Sequence, residues 1–118
     1  MKGRLRDVQR RIISIPIYDK IVRDRIPEII EGRGKKCRWS TARGEDLLKG
    51  LEKKLWEEVE EFSASGRSLE ELADVLEVVD ALACSLGSSF QEVLKLKAAK
   101  RAQRGGFQEG ILLEWVED

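Results

Sequence analysis

Between Lys54 and Ala83 two helical patterns are separated only by the short polar loop 63–67, and each carries acidic residues on the arc where its apolar residues fall. In the first, Leu48, Leu51, Leu55, Val59 and Phe62 recur at three- and four-residue steps, the spacing that lays one apolar stripe along a helix. The pattern predicts a helix from Glu45 to about Ser63. A turn of about 100° per residue sets Glu58 between Leu47 and Leu51, inside the stripe, and Glu61 on its border beside Lys54. Glu57 and Glu60 project toward solvent. In the second pattern, Leu72, Val75, Leu76, Val78, Val79, Leu82, Ala83 and Leu86 cover more than half the circumference of a helix predicted from about Leu69 to Leu86. Glu71 falls between Val78 and Leu82, and Asp74 between Ala81 and Val78, while Glu70, Glu77 and Asp80 take the polar side.

A short connection makes such helices antiparallel neighbours whose apolar faces meet. Glu58, Glu61, Glu71 and Asp74 then converge near the loop end of one hairpin. Four crowded carboxylates cannot all stay ionised without compensation, because desolvation and like-charge repulsion both favour the neutral forms. A hard divalent cation offers that compensation, and Mg²⁺ in particular is held by a few carboxylates together with waters and substrate phosphate oxygens. Mn²⁺ is a possible substitute. A plainer reading competes. Ser68 and Glu71 fit a capping box, and glutamates on helices commonly form a solvated face. It explains single glutamates better than it explains four inward acids spaced Glu-x-x-Glu and Glu-x-x-Asp, since unpaired acids are seldom buried.

The same residues carry a family resemblance. Glu57-Glu58-x-x-Glu61 followed by Glu71-x-x-Asp74 resembles the EExxE…ExxD signature of the all-α, MazG-like nucleoside triphosphate pyrophosphohydrolases, and Tyr18 to Ile30, YDKIVRDRIPEII, resembles the opening of a small single-domain branch labelled phosphoribosyl-ATP pyrophosphohydrolase-like. The resemblance runs from about Tyr18 to the C-terminus. It implies Glu58, Glu61, Glu71 and Asp74 as magnesium ligands, with Lys54, Glu57, Arg23 and the basic group Lys97, Lys100 and Arg101 in supporting or phosphate-contacting roles. The branch usually has Asn where Asp19 stands and Lys where Arg25 stands, so Asp19 is left outside the expected site.

At 118 residues the chain fits one domain. Residues 17–118 read as that domain and residues 1–16 as a basic N-terminal extension open to being disordered. The second helix is apolar over too much of its surface to lie on the outside of a monomer, so a homodimer completing a four-helix bundle is expected; the resemblance points the same way. Net charge is zero, which weighs against nucleic acid as a partner. Its distribution is uneven: residues 1–43 hold 13 Lys/Arg against 5 Asp/Glu, and residues 44–86 hold 4 against 12, so the acidic middle would take a cation and the basic flanks its anionic ligand. The absence of histidine leaves carboxylates, lysine or a water-activating metal ion for acid–base work. Cys37 and Cys84 lack paired spacing and fit a reducing cytoplasm; Cys84 reads as a small core residue. No stretch has the apolar length of a membrane span.

Elsewhere, Pro27 suits the first turn of a short helix running to about Glu31, closed by Gly32-Arg33-Gly34. Arg23 and Asp24 read as a surface pair, or, with the resemblance, Arg23 as a phosphate contact. Cys37–Thr41 and Ile111–Val116 read as brief strands that could pair into a small two-stranded β ribbon, with Trp39 and Trp115 packing rather than stacking on a base. Gly87 ends the second long helix, and Ser88 with Gln91 offers a capping box for a third, about Ser89 to Gln103. Its Phe90, Val93, Leu94 and Leu96 should face inward. Its C-terminal cations suit the helix dipole. No phosphate-binding glycine motif of the P-loop or dinucleotide type occurs.

The expected fold is therefore all-α, an antiparallel helical hairpin plus a third helix. The expected activity is Mg²⁺-dependent hydrolysis of a nucleotide between its α and β phosphorus atoms, in nucleotide-pool house-cleaning. Glu61 or Glu57 would take a proton, and Lys54 would offset charge on the leaving pyrophosphate. The alternatives are a phosphoribosyl-ATP pyrophosphohydrolase of histidine biosynthesis and a non-catalytic helical dimer acting as a binding module.

Overall fold

The computed structural model of the chain describes residues 19–118; the basic extension and Tyr18 lie outside them. Four helices follow in order: α1 (Ile26–Gly32), α2 (Gly44–Ala64), α3 (Leu69–Ser85) and α4 (Phe90–Arg104). Among the described residues there is no strand, so the chain is all-α, as its periodicity predicts. No helix among the described residues is long and apolar enough to cross a membrane.

α2 and α3 are the packed pair. The turn between them is built from local bonds. Gly66 takes the left-handed conformation at φ 81°, and the Arg67 N–H reaches back to the Phe62 carbonyl at 2.9 Å, closing the exposed end of α2. Arg67 is itself left-handed at φ 67°. Ser68 then caps α3, its hydroxyl accepting from the Glu71 N–H at 3.3 Å. The reciprocal half of the capping box is not formed, because the Ser68 N–H points to the Ser65 hydroxyl at 3.5 Å. The Glu71 carboxyl is thereby left to other partners. At its far end α3 closes in a Schellman motif, with Gly87 at φ 80° donating to Cys84 O and Ser88 donating to Ala83 O.

Among the four helices, α4 packs on α3 alone. Its cap is Ser89, whose hydroxyl accepts from the Glu92 N–H at 3.2 Å, one residue later than the Ser88 box predicts. Phe90 and Val93 are half-buried, but Leu94 and Leu96 stand 44% and 63% exposed, so only the first turn of the helix faces inward. Arg101 and Arg104 occupy its last turn, where the helix dipole favours them, before Gly105 at φ 86° breaks it.

Among the described residues the buried core is thin: Leu51 from α2, and Val78 and Ala83 from α3. Cys84 is exposed, with its thiol 3.8 Å from Asp80 Oδ1, and is not the core residue its apolar setting suggests; it lies one step round the helix from Ala83, which is. Trp39 and Trp115, expected to pack, are likewise exposed, at 63% and 78%.

One contact outside the hairpin fixes the segment that leads into α1. Ile21 lies so close to α2 at Gly50 that a Cβ there would stand 2.6 Å from Ile21 Cγ1. Glycine inside a helix costs about 1 kcal/mol relative to alanine, while forcing an extra carbon into a filled space costs about 1–3 kcal/mol. Gly50→Ala should therefore fail to stabilise the chain in urea unfolding, whereas Gly50→Ala combined with Ile21→Ala should recover part of the helix gain. Additivity of the two substitutions would count against the contact.

Candidate metal centre

The hairpin packing brings three carboxylates together at the loop end. Glu58 of α2 and Glu71 and Asp74 of α3 each present one oxygen such that all three lie within 4.8 Å of one another, each side chain half-buried. Glu58 is well enclosed, with its side chain 15% exposed. Glu61 is exposed and stands outside that set of three, on the wall of the same cleft. Glu57 and Glu60 line the cleft too, although their helical projection points away from the stripe. The cleft is open, about 410 Å³, and Lys20, Lys54 and Ala64 complete its lining.

Arg23 and Lys54 stand against these acids. Arg23, arriving in the lead-in segment, donates to Asp74 Oδ1 at 2.6 Å. It is therefore the partner of an acid 51 positions away, not of its neighbour Asp24. Lys54 sits 3.5 Å from both Glu57 and Glu58, so its ammonium bridges the edge of the cluster. Lys97, Lys100 and Arg101 do not line the cleft. They are exposed along α4, and Arg101 donates to Gln108 at 3.2 Å.

Partial withdrawal from water pushes the Glu71 carboxyl above its ordinary 4.5, and the charges of Asp74, Glu58 and Glu61, with a hydrogen bond to Asp74, push it further. The like-charge part of that shift fits a cluster in which carboxylates outnumber the cations beside them. Six carboxylates line the cleft, and the cations beside them are Lys20, Lys54 and the Arg23 that reaches Asp74. The cluster offers hard oxygen donors only, the set that suits Mg²⁺, Mn²⁺ or Ca²⁺. Octahedral Mg²⁺ separates its ligand oxygens by roughly 2.9–4.2 Å, a span that small side-chain rotations reach from 4.8 Å.

Lys20 was absent from the residues that sequence periodicity picks out. It lies outside any helix, and the one signal for it is its position three residues before Arg23 in the basic lead-in. Because the folded chain holds the Glu71 proton more tightly than the unfolded chain, the stability that Glu71 contributes is complete below pH 4.5 and is lost as pH rises through its raised value. Glu71→Gln should accordingly melt higher than the wild type at neutral pH in metal-free buffer, with the gap closing below pH 4.5. A variant that melts lower at neutral pH would overturn this account of the cluster. No family model, curated protein or solved structure matches the chain, so a functional reading rests on this cleft and on the motif residues that form it.

Proposed function

We propose that the chain is a Mg²⁺-dependent nucleotide pyrophosphohydrolase, with Glu58, Glu71 and Asp74 as the core of the metal site and Glu61 at its edge. The observation that carries the reading is the excess of carboxylates over neighbouring cations in one open cleft, with three of their oxygens within 4.8 Å. Exposed surface acids repel one another and drift apart; these are held on two packed helices and cannot. The reaction itself comes from the resemblance of Glu57-Glu58-x-x-Glu61 and Glu71-x-x-Asp74 to the MazG-like signature.

When bound, Mg²⁺ supplies Lewis acidity toward the phosphate oxygens and charge neutralisation for the departing pyrophosphate. The chain's own groups have separate tasks. Glu58, Glu71 and Asp74 hold the ion's position through the rigidity of α2 and α3. Glu61, exposed on the cleft wall, is free to accept a proton from an attacking water, with Glu57 as its substitute. Lys54, bridging Glu57 and Glu58, places a positive charge where pyrophosphate charge would develop. Arg23 holds Asp74 in place and presents its remaining guanidinium donors to a phosphate. Lys97, Lys100 and Arg101 serve this chemistry only if a second copy of the chain or the nucleotide itself brings them near. House-cleaning of the nucleotide pool remains the preferred setting, with phosphoribosyl-ATP as the alternative substrate.

Release of pyrophosphate from a panel of canonical and modified nucleoside triphosphates and phosphoribosyl-ATP should require Mg²⁺ or Mn²⁺. Glu58→Gln and Asp74→Asn should each lower it by about a hundredfold or more, in the range seen when a group that stabilises reacting charge is removed. Their circular dichroism should stay helical. Retained turnover in both variants would sink the assignment.

A second reading has its own observation. Arg23 on Asp74 and Lys54 on Glu57 and Glu58 already offset part of the acidic charge, as they would in a non-catalytic helical module. It predicts no change in melting temperature on adding Mg²⁺.

The homodimer belongs to the same proposal. Leu69, Leu72 and Leu76 of α3 are 81%, 41% and 54% exposed and lie at three- and four-residue steps, with Trp56 and Val59 of α2 also exposed. An apolar area of that kind marks an interaction surface, and a second copy would cover it as a four-helix bundle. Leu72→Asp with Leu76→Asp should shift the chain from dimer to monomer in sedimentation equilibrium. A wild-type chain that is monomeric at micromolar concentration would remove the bundle from the proposal.

A further inference from the structure

Among the described residues, the two longest stretches outside the helices carry opposite charge. Positions 35–43 hold Lys35, Lys36, Arg38 and Arg43 and no acid, whereas positions 109–118 hold Glu109, Glu114, Glu117 and Asp118 and no base. Both leave apolar side chains in water: Trp39 is 63% exposed, and Ile111, Leu112, Leu113, Trp115 and Val116 are 70–81% exposed. From Lys35 to Arg43 and from Gly110 to Asp118 the backbone runs without helix, turn or bend. No backbone hydrogen bond joins the two within the described residues. Each is a run of backbone outside any helix that, among the described residues, has no partner strand.

We propose that they pair as antiparallel strands between two copies of the chain, the acidic C-terminal stretch of one copy against the basic stretch before α2 of the other. One register satisfies the charges together. Setting Glu114 opposite Arg38 also sets Glu117 opposite Lys35 and brings Glu109, in the turn after α4, level with Arg43. In that register Leu113 meets Trp39, Ile111 meets Thr41 and Trp115 meets Cys37 on the opposite face of the ribbon from the Glu114–Arg38 pair, because side chains alternate along a strand. Opposite charges directly across an antiparallel pair attract and like charges there repel, so shifts that lose these pairings are disfavoured.

The partner is a second copy because of where the helices put the ends. Positions 35–43 lie at the start of α2, beside the C-terminal end of α3 to which α2 is antiparallel. α4 begins at that same end and carries the chain about 22 Å from it over 15 residues. The Arg101–Gln108 hydrogen bond then ties the start of the tail to the distal end of α4. A two-fold dimer makes the exchange twice, protecting both edges of each chain. The inference rests on the two-copy reading above and not on the metal site.

The test uses the full chain carrying Cys84→Ser, so that Cys37 is its sole thiol, with Trp115→Cys added. Mild oxidation should give a covalent dimer on non-reducing electrophoresis, since directly opposed strand residues have the separation a disulfide spans. Val116→Cys, on the other face, should cross-link at least about tenfold less. Separately, Arg38→Glu or Glu114→Arg should each weaken the dimer by about tenfold, and the two together should restore it. A monomer carrying an internal disulfide, or a dimer that neither cross-links nor responds to charge reversal, overturns the ribbon while leaving the helical dimer intact. A wild-type chain that never dimerises overturns both.

Discussion

Two helices that meet through their apolar stripes must bring along whatever else lies on those stripes. In this chain Glu58 comes with Leu51 and Leu55, and Glu71 and Asp74 come with Val78. Their mutual repulsion is a standing charge on the hairpin's stability. It is set against the burial of Leu51, Val78 and Ala83 and against a turn closed by Gly66, Arg67 and Ser68. A fold that holds like charges this close needs compensation at neutral pH, and Lys20, Arg23 and Lys54 bring positive charge to the cluster from within the chain. The lead-in segment therefore has an electrostatic purpose as much as a packing one. It delivers a guanidinium to α3 from outside the hairpin.

The other notable property is how little the chain covers. α4 buries only part of its first turn, and the tail beyond Gly105 is exposed throughout. Among the described residues, a monomer of this kind would rely on Leu51, Val78 and Ala83 and a set of well-made helix ends. Helix caps contribute about 1 kcal/mol each, which is small against the entropy of ordering the chain. The acidic cleft and the uncovered apolar surface thus call for different remedies, a cation for the first and protein for the second.

The helices and the acids were legible in the sequence because both are written in local spacing. Ser68 and Gly87 mark their termini by chemistry that acts within three or four residues, and the angle of Glu58, Glu71 and Asp74 follows from counting along a helix. What escaped had no such local code. The partner of Arg23 is 51 positions away, and Lys20 enters the cleft only because the lead-in crosses the hairpin. Glu57 and Glu60 project off the apolar stripe, yet they reach the cleft, since a long side chain at a stripe's margin can bend toward it. Cys84 and Leu96 look like core residues by type, but burial belongs to neighbours, and the neighbours along this chain do not reach them. The cap of α4 was expected at Ser88 and is Ser89, because two adjacent serines differ by one step of backbone that spacing alone does not resolve.

The close approach of Ile21 to Gly50 gives the cleft a control that no inventory of its charges would reveal. Arg23 follows Ile21 by two residues, so the reach of its guanidinium toward Asp74 is tied to how deeply the lead-in can settle on α2. A hydrogen atom where any other residue would place a carbon lets that segment lie flush. The acidity of the site is thus partly a matter of clearance: the amount of positive charge delivered to one end of the hairpin is metered by the absence of a methyl group on the helix beside it.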